Sequence, residues 1–290
     1  MAQVTVGVLH PGEMGASVGA AARRGGAEVV WASEGRSKST QVRAVADGLR
    51  DVGTLQHLVK ASDVIVSVCP PGVAADVARA VAGYGFSRIY VDANAVSPET
   101  ARQVGAIVEQ GGATFVDGGI IGPPARSAGS TRMYLSGPAA QQVALLFKDG
   151  PLEVIVLERG AGAASALKVA FASYTKGTAA LLMAIRAFAR AEGVDTALVQ
   201  EWAHSLPGLP GQCEAAVRTS ARKAWRFVGE MEEIATAFKA AGLPDSFHRA
   251  AAELYRRLER YKDTEQPPSL EEATAVILQL SQCDKERRPR

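Results

Sequence analysis

The sequence predicts an α/β fold class, in which a doubly wound parallel sheet is followed by an all-α C-terminal half. Short apolar runs alternate with alanine-rich helical stretches over the first 160 residues. Beyond residue 162 the strand-like runs stop, and Ala, Leu, Glu and Arg recur with helical period. A length of 290 residues also suits two domains, each with its own core.

Six runs are predicted as strands because β-branched and other large apolar residues dominate them. They are Val4–Leu9, Glu28–Ala32, Asp63–Val68, Arg88–Asp92, Thr114–Asp117 and Glu153–Leu157. Segment 116–137, "VDGGIIGPPARSAGSTRMYLSG", lies between apolar segments and is rich in Gly and Pro. It is interpreted as a long loop shaped around a ligand, with an ordinary surface loop as the alternative.

The second half is predicted to be helical to its end. Its breaks are expected at three segments rich in Pro and Gly, which are Leu206–Gln212, Gly242–Ser246 and Thr264–Ser269. The resulting domain prediction is a nucleotide-binding domain at 1–160, an all-α domain at 161–284 and a charged tail at 285–290.

Composition narrows the classes of partner. The net charge is +2, from 32 basic and 30 acidic residues, so the charge balance argues against a nucleic-acid or membrane-surface partner and favours a small-molecule substrate. The apolar stretch 161–189 contains Lys168, Lys176 and Arg186, which favours a buried helix over a membrane span.

Three scattered cysteines without a CxxC pair predict reduced thiols and no metal site. With no signal peptide visible, the predicted location is cytoplasmic.

A glycine-rich turn follows the first predicted strand. The segment "VGVLHPGEMG" runs from strand to turn to the start of an alanine-rich helix, which is the order that a dinucleotide-binding turn requires. His10 stands where the first glycine of that fingerprint is expected. We interpret the turn as a reshaped pyrophosphate site, with an ordinary βα loop as the alternative. Its predicted cofactor-binding residues are His10, Pro11, Gly12, Glu13 and Met14.

The end of the second strand indicates which dinucleotide binds. NAD binders carry an acidic residue there, whereas NADP binders carry basic or hydroxyl groups that hold the 2′-phosphate. The segment "VVWASEGRSKST" favours NADP over NAD, although Glu34 offers the opposite interpretation. The residues predicted to hold the phosphate are Ser33, Arg36, Ser37 and Lys38.

Two further segments carry candidate chemistry. Asn94 follows a strand in "YVDANAVSPET" and should lie at the ligand crevice beyond the carboxyl ends of the strands. In "GAASALKVAFASYTKG", Lys168 is the cation on an otherwise apolar or small-residue helical face. Burial there would lower the pKa of a lysine and suit it to proton transfer. The alternative is a lysine whose ammonium group reaches water.

Four segments together resemble the β-hydroxyacid dehydrogenase superfamily, which includes 6-phosphogluconate and 3-hydroxyisobutyrate dehydrogenases. They are "GVLHPGEMG", "DANAVSP", "DGGIIGPPARSAGS" and "GAASALK", in the family's order. The resemblance implies a Rossmann domain that binds NAD(P), a helical domain that forms a homodimer, and hydride transfer in a cleft between them. By the same resemblance, Lys168 is the catalytic general acid and base, and Asn94 borders nicotinamide and substrate. The "CPP" segment, Cys69, Pro70 and Pro71, is placed at the cofactor.

Several positions depart from the family's pattern. Ile121, Gly122 and Pro123 stand where the family has Ser-Gly-Gly, and Ala172 replaces an Asn. The lysine that usually opens a motif on a later helix aligns with Gly229. A more apolar pocket favours a ketone, aldehyde or imine over a sugar acid. The predicted substrate-binding residues are Ile121, Gly122, Pro123, Ala172, Thr175, Glu230 and Glu233.

The sequence therefore predicts an NADP-dependent oxidoreductase that acts on a small carbonyl or β-hydroxy compound. One alternative is an imine reductase on the same scaffold, because protonated imines need less proton donation and tolerate an apolar pocket. Another is a protein without catalysis that binds NADPH as a sensor or scaffold. The presence of Lys168 argues against the imine reductase, and Lys168 together with Asn94 argues against the protein without catalysis.

Overall fold

The computed structural model describes residues 3–285, and side chains up to residue 279. The chain forms two compact units, which divide between Val169 and Ala170. This division falls within the long helix Ala163–Ala191, here called α7, whereas the boundary predicted from sequence falls before it. The predicted tail beyond residue 285 and the side chain of Cys283 lie outside the described residues.

The first unit is built on a sheet of eight strands. Their bounds are β1 Thr5–Leu9, β2 Glu28–Trp31, β3 Arg50–Asp51, β4 Val64–Ser67, β5 Ile89–Asp92, β6 Thr114–Ile121, β7 Thr131–Ser136 and β8 Leu152–Val156. The strand order is β3-β2-β1-β4-β5-β6-β7-β8. All neighbours pair in parallel except β6 and β7, which are antiparallel. The predicted doubly wound fold class is confirmed.

Helices cover both faces of this sheet. They are α1 Glu13–Arg24, α2 Lys38–Ala46, α3 Leu55–Ala61, α4 Ala74–Gly83, α5 Pro98–Gln110 and α6 Ala140–Ala144. Side chains alternate between two buried apolar clusters, so that Val64 and Val66 join one and Ile65 joins the other. Burial on both sides explains why the parallel strands read as nearly continuous apolar runs.

The long loop predicted for segment 116–137 is wrong in its extent. β6 continues to Ile121 and β7 begins at Thr131, so the loop between them spans only residues 122–130. The glycines of β6 have a packing reason, since a Cβ on Gly119 would lie 2.6 Å from the carbonyl oxygen of Ala164 on α7. A Cβ on Gly118 would instead lie 3.0 Å from the carbonyl oxygen of Asp92 at the end of β5. Close approach of other parts of the chain, rather than flexibility, therefore accounts for these glycines.

The second unit is helical, and the chain turns near each of the predicted breaks. Beyond α7 it contains α8 Asp195–Ser205, α9 Leu209–Ser220, α10 Ala224–Ala240, α11 Ser246–Arg257 and α12 Leu270–Lys285. α10 packs on α11, where the rings of Phe227 and Tyr255 meet edge to face at 5.3 Å. Arg186 on α7 binds Asp195 through two hydrogen bonds of 2.6 and 2.9 Å. Among the described helices, none is long and apolar enough to cross a membrane.

Candidate active site

The turn after β1 is tight because His10 has a left-handed backbone, with φ of 62°. Its carbonyl oxygen accepts a hydrogen bond from Gly12 N at 2.7 Å. A Cβ on Gly15 would lie 2.7 Å from the same oxygen, whereas a Cβ on Gly12 would meet its nearest atom at 4.0 Å. The turn thus leaves open space beside the start of α1, where Glu13 and Met14 present backbone N–H groups without helical partners.

A cavity of about 340 Å³ lies beside this turn, at the carboxyl ends of β1 and β2. This volume falls in the range of small-molecule sites. Its walls are mostly apolar and its polar groups are few, a combination that suits a flat heterocycle joined to a polar sugar. The lining residues are Val8, Leu9, His10, Ala32, Glu34, Arg36, Leu55, Leu58, Asp76, Val77 and Ala80.

Two nitrogen atoms of this lining are buried without a hydrogen-bond partner among the described residues: Nδ1 of His10 and Nε of Arg36. Burial and the nearby Arg36 cation lower the pKa of His10 to about 4, so its imidazole is neutral at physiological pH. Burial also lowers the pKa of Arg36 from its ordinary value. Buried polar atoms are normally paired, so these two nitrogens fit a polar ligand in the cavity.

The other residues predicted to hold a 2′-phosphate do not line the cavity. The Ser37 hydroxyl caps α2 by accepting a hydrogen bond from Thr40 N. Ser33 N donates to Asp51 Oδ1 at 3.1 Å, and Lys38 lies exposed at the start of α2. Pro11, next to His10, is buried in the turn. Of the predicted phosphate ligands, only Arg36 therefore lines the cavity.

Asn94 links the ends of β4 and β5. Its Oδ1 accepts a hydrogen bond from Cys69 N at 2.5 Å, and its Nδ2 donates to Ser67 Oγ at 3.2 Å. The segment continues through Pro70 to a short helical turn that begins at Pro71. Burial raises the pKa of Cys69 to about 11, so its thiol is not a nucleophile. The structure thus brings Asn94 and the "CPP" segment together.

Asp117, which sequence reasoning did not single out, anchors the start of α7. The carboxylate is fully buried. Its Oδ2 accepts hydrogen bonds from Ser136 Oγ, Gly162 N and Ser165 N at 2.9–3.0 Å, and its Oδ1 accepts one from Ser165 Oγ at 2.5 Å. A negative group at a helix N-terminus satisfies free N–H groups and complements the helix dipole. The first turn of α7 is therefore held on the sheet.

Lys168 lies one turn beyond Ser165 on α7. It is half-buried, and its Nζ donates a hydrogen bond of 2.6 Å to the carbonyl oxygen of Ile120 on β6. A Cβ on Gly118 would lie 3.3 Å from Cα of Ala93, whereas a Cβ on Gly119 would lie 3.1 Å from Cβ of Lys168. Asp92 of β5 pairs with Asp117 of β6 in parallel, so Asn94 and Ile120, which holds the ammonium group, both follow this pair towards the carboxyl ends of neighbouring strands.

The loop after β6 carries the predicted Ile-Gly-Pro segment. Ile121 is buried at the end of the strand, whereas Gly122 and Pro123 are exposed. The Pro123 carbonyl oxygen accepts a hydrogen bond of 2.5 Å from Thr131 Oγ1. Ala125 N donates to Ser17 Oγ at 3.0 Å, which fixes the loop to α1.

The remaining predicted substrate residues belong to the second unit. Ala172 is buried, and Thr175 is exposed with its hydroxyl donating to the carbonyl oxygen of Phe171. Glu230 is buried on α10 and pairs with Lys176 at 2.9 Å. Glu233 lies one turn further along α10 and is partly exposed.

Comparison with known proteins identifies the family. Residues 5–147 match the family model described as the NAD binding domain of 6-phosphogluconate dehydrogenase, and residues 189–258 match a domain of unknown function, DUF1932. The solved structure of conserved protein MTH1747, whose similarity to 3-hydroxyacid dehydrogenases is known, is 28% identical. It has a TM-score of 0.65, over 89% of this chain and 98% of that one. The chain belongs to the β-hydroxyacid dehydrogenase superfamily. Its residues 5–147 form an NAD binding domain of the 6-phosphogluconate dehydrogenase type.

Two further proteins are similar to this chain. An uncharacterized 28.5 kDa protein of Methanothermus fervidus is 35% identical over 174 residues, which are 60% of this chain and 66% of that protein. The 3-hydroxyisobutyrate dehydrogenase of Mycobacterium tuberculosis is 18% identical, with a TM-score of 0.69 over 96% of this chain and 99% of that one. At that identity the likeness shows the shared β-hydroxyacid dehydrogenase fold.

Proposed function

We propose that this protein is an NADPH-dependent reductase of small ketones or aldehydes, or in the reverse direction an NADP-dependent dehydrogenase of the corresponding β-hydroxy compounds, with Lys168 as general acid and base. One observation carries the proposal: the Lys168 ammonium group is held 2.6 Å from the Ile120 carbonyl oxygen, at the sheet edge that also carries Asn94. In parallel α/β sheets, ligands bind beyond this edge. The cavity lined by His10 and Arg36 opens at the same ends of neighbouring strands.

The proposed chemistry divides between cofactor and protein. Bound nicotinamide supplies the hydride to the carbonyl carbon. The Lys168 ammonium group donates a proton to the carbonyl oxygen, so that the carbonyl becomes an alcohol and the lysine becomes neutral. The Ile120 carbonyl oxygen orients the ammonium group by accepting one of its hydrogens. Asn94 already binds Cys69 N and Ser67 Oγ, and these contacts suit a residue that positions the loops around the reacting groups.

The substrate is proposed to be less polar than a sugar acid. Ile121 is buried where the family's serine would offer a hydroxyl, and Ala172 replaces a polar amide. Without a hydroxyl at position 121 and an amide at position 172, hydrogen bonds that could hold a substrate carboxylate are lost. A panel of aldehydes, ketones, 3-oxo acids and cyclic imines, followed by loss of NADPH absorbance, tests this point. Faster turnover of imines would favour the imine reductase, and absence of all turnover would favour the sensor.

NADP specificity is proposed to rest on Arg36. Arg36→Ala is expected to weaken NADPH binding by about 10- to 100-fold, because a charge-assisted hydrogen bond to the 2′-phosphate is lost. NADH binding should change little, since NADH lacks that phosphate. Fluorescence titration of both coenzymes measures the two affinities. Lys60→Ala is the matched control, because it removes an exposed cation of α3 that does not line the cavity. Equal losses for NADPH and NADH in Arg36→Ala would contradict the assignment.

A homodimer is proposed because α7 carries an exposed apolar face. In the second unit Phe171, Tyr174, Leu181 and Phe188 follow helical spacing on one side of α7, and Tyr174 and Phe188 are 73% and 65% exposed. The double variant Leu181→Glu and Phe188→Glu is expected to sediment as a monomer under conditions where the parent chain sediments as a dimer. Glu201→Lys, an exposed change on α8, should leave the parent state unchanged. If the double variant remains dimeric, this face of α7 is not the dimer interface.

The proposed location is the cytoplasm. Cys69 and Cys213 are free thiols in the described part of the chain. Free thiols of this kind are typical of reducing compartments. Fractionation of the native host, with antibody detection of the chain, tests the location.

A further inference from the structure

His10 keeps a left-handed backbone that a glycine would adopt without strain. Its φ is 62°, at the position where a dinucleotide-binding turn normally has glycine. A side chain in this conformation costs free energy, and such strain persists where surrounding structure and function require it. The imidazole must therefore provide an interaction that glycine would lack.

The surroundings of the imidazole indicate what that interaction is. His10 lines the cavity of about 340 Å³ together with Arg36. Its Nδ1 is buried and has no partner among the residues that the structure describes, and the same holds for Nε of Arg36. Apolar side chains, among them Leu9, Leu55 and Val77, form most of the remaining wall, which also includes the carboxylates of Glu34 and Asp76. Two residues that each carry a nitrogen with unmet hydrogen-bonding capacity thus line one cavity of ligand size.

We propose that the His10 imidazole is a direct ligand of the adenosine ribose and its 2′-phosphate, and that it acts with Arg36 as a specificity-determining residue for the dinucleotide. This inference rests on the proposed function, because it assumes that the cavity takes the adenosine end of NADPH. Arg36 supplies the charge, and the neutral imidazole supplies a directed N–H donor to an oxygen at the 2′ position. Apolar walls of the cavity would receive the adenine ring.

The neutral state of His10 is consistent with this role. Burial and the Arg36 cation lower the pKa of His10 to about 4, so that one ring nitrogen donates and the other accepts across the physiological range. Because its imidazole is neutral, His10 adds no second positive charge beside Arg36 in the free protein. The remaining charged groups that face the cavity are Glu34 and Asp76, and Asp76 is paired with Arg79 at 2.5 Å.

The test measures binding of adenosine 2′,5′-bisphosphate, which contains the 2′-phosphate but no nicotinamide, by isothermal titration calorimetry on the full chain. His10→Gly is expected to weaken this binding by about tenfold, the loss of one hydrogen bond to a charged group. Binding of adenosine 5′-monophosphate should weaken much less. His10→Asn, which tolerates a left-handed backbone and keeps a donor, should fall between His10→Gly and the parent chain.

His10→Gly suits this test because glycine relieves the backbone strain, and circular dichroism verifies that the variant remains folded. Bisphosphate binding by His10→Gly that equals or exceeds that of the parent chain would overturn the inference. So would equal losses for the bisphosphate and the monophosphate. If the parent chain binds NADPH but His10→Gly loses nothing, the proposed function stands and this inference fails. If the parent chain binds neither NADPH nor the bisphosphate, both fail.

Discussion

Lys168→Met is expected to lower kcat by about 100- to 10,000-fold, which is the range that a positioned proton donor contributes. Methionine keeps an apolar stem of similar length but carries no transferable proton, so the substrate oxygen loses its acid. NADPH affinity should change little, because the cavity lined by His10 and Arg36 does not include Lys168. Steady-state turnover on the best substrate of the panel gives kcat, and fluorescence titration gives the NADPH affinity separately.

Two further variants make this result specific. Lys168→Arg keeps the positive charge, but a guanidinium group holds its proton too firmly for acid catalysis, so its kcat should also fall strongly. Lys148→Met removes an exposed lysine of the same unit and should retain the parent kcat. Turnover at the parent rate by Lys168→Met would exclude proton donation by this residue. A parallel collapse of NADPH binding would point to a structural role instead.

Asp117→Ala is expected to lower the free energy of unfolding by about 3 kcal/mol or more. The substitution leaves Ser136 Oγ, Gly162 N and both Ser165 donors without their buried acceptor. It also removes the negative group from the N-terminus of α7. Urea unfolding measures the loss of stability. Hydrogen exchange should show the greatest loss of protection in the first turns of α7.

The conservative variant Asp117→Asn keeps one acceptor oxygen and most of the shape, so its loss of stability should be smaller than that of Asp117→Ala. Asp76→Ala is the control, because it breaks an exposed carboxylate pair with Arg79 and should cost no more than about 1 kcal/mol. Equal stability of Asp117→Ala and Asp76→Ala would show that the buried contacts of Asp117 do not hold α7 in place.

Much of the fold follows from patterns that are local in sequence. The positions of β1, β2, β4 and β5 were predictable because each is an apolar run buried in the sheet. β8 was predictable as an apolar run too, although most of its residues are only partly buried at the edge of the sheet. β3 has only two residues, Arg50 and Asp51, and no apolar pattern to reveal it. β7 was hidden because glycines in the preceding segment were interpreted as flexibility. Their actual cause is close contact with residues far away in the chain, since α7 crowds Gly119 and the end of β5 crowds Gly118.

The candidate site also has some parts that follow from local sequence patterns and others that depend on contacts between distant residues. The turn at His10 was predictable because strand, turn and helix are contiguous, and Lys168 because a lone cation on an apolar helical face shows in sequence. The cavity beside His10 was not predictable from the sequence, since its lining residues Leu55 and Val77 resemble ordinary core residues. The cap formed by Ser37 was not predicted either, because a hydroxyl that could bind phosphate is equally suited to cap a helix.

The sequence by itself determined the fold class, the glycine-rich turn and the candidate lysine, because the periodicity of burial and the chemistry of short motifs act between neighbours along the chain. Only the tertiary structure decided that Asp117 anchors the helix of Lys168, and that His10 and Arg36, each with a nitrogen left unpaired among the described residues, line one cavity. These facts depend on which distant residues exclude water together, and the satisfaction of a buried polar atom is a property of its surroundings rather than of its sequence neighbours.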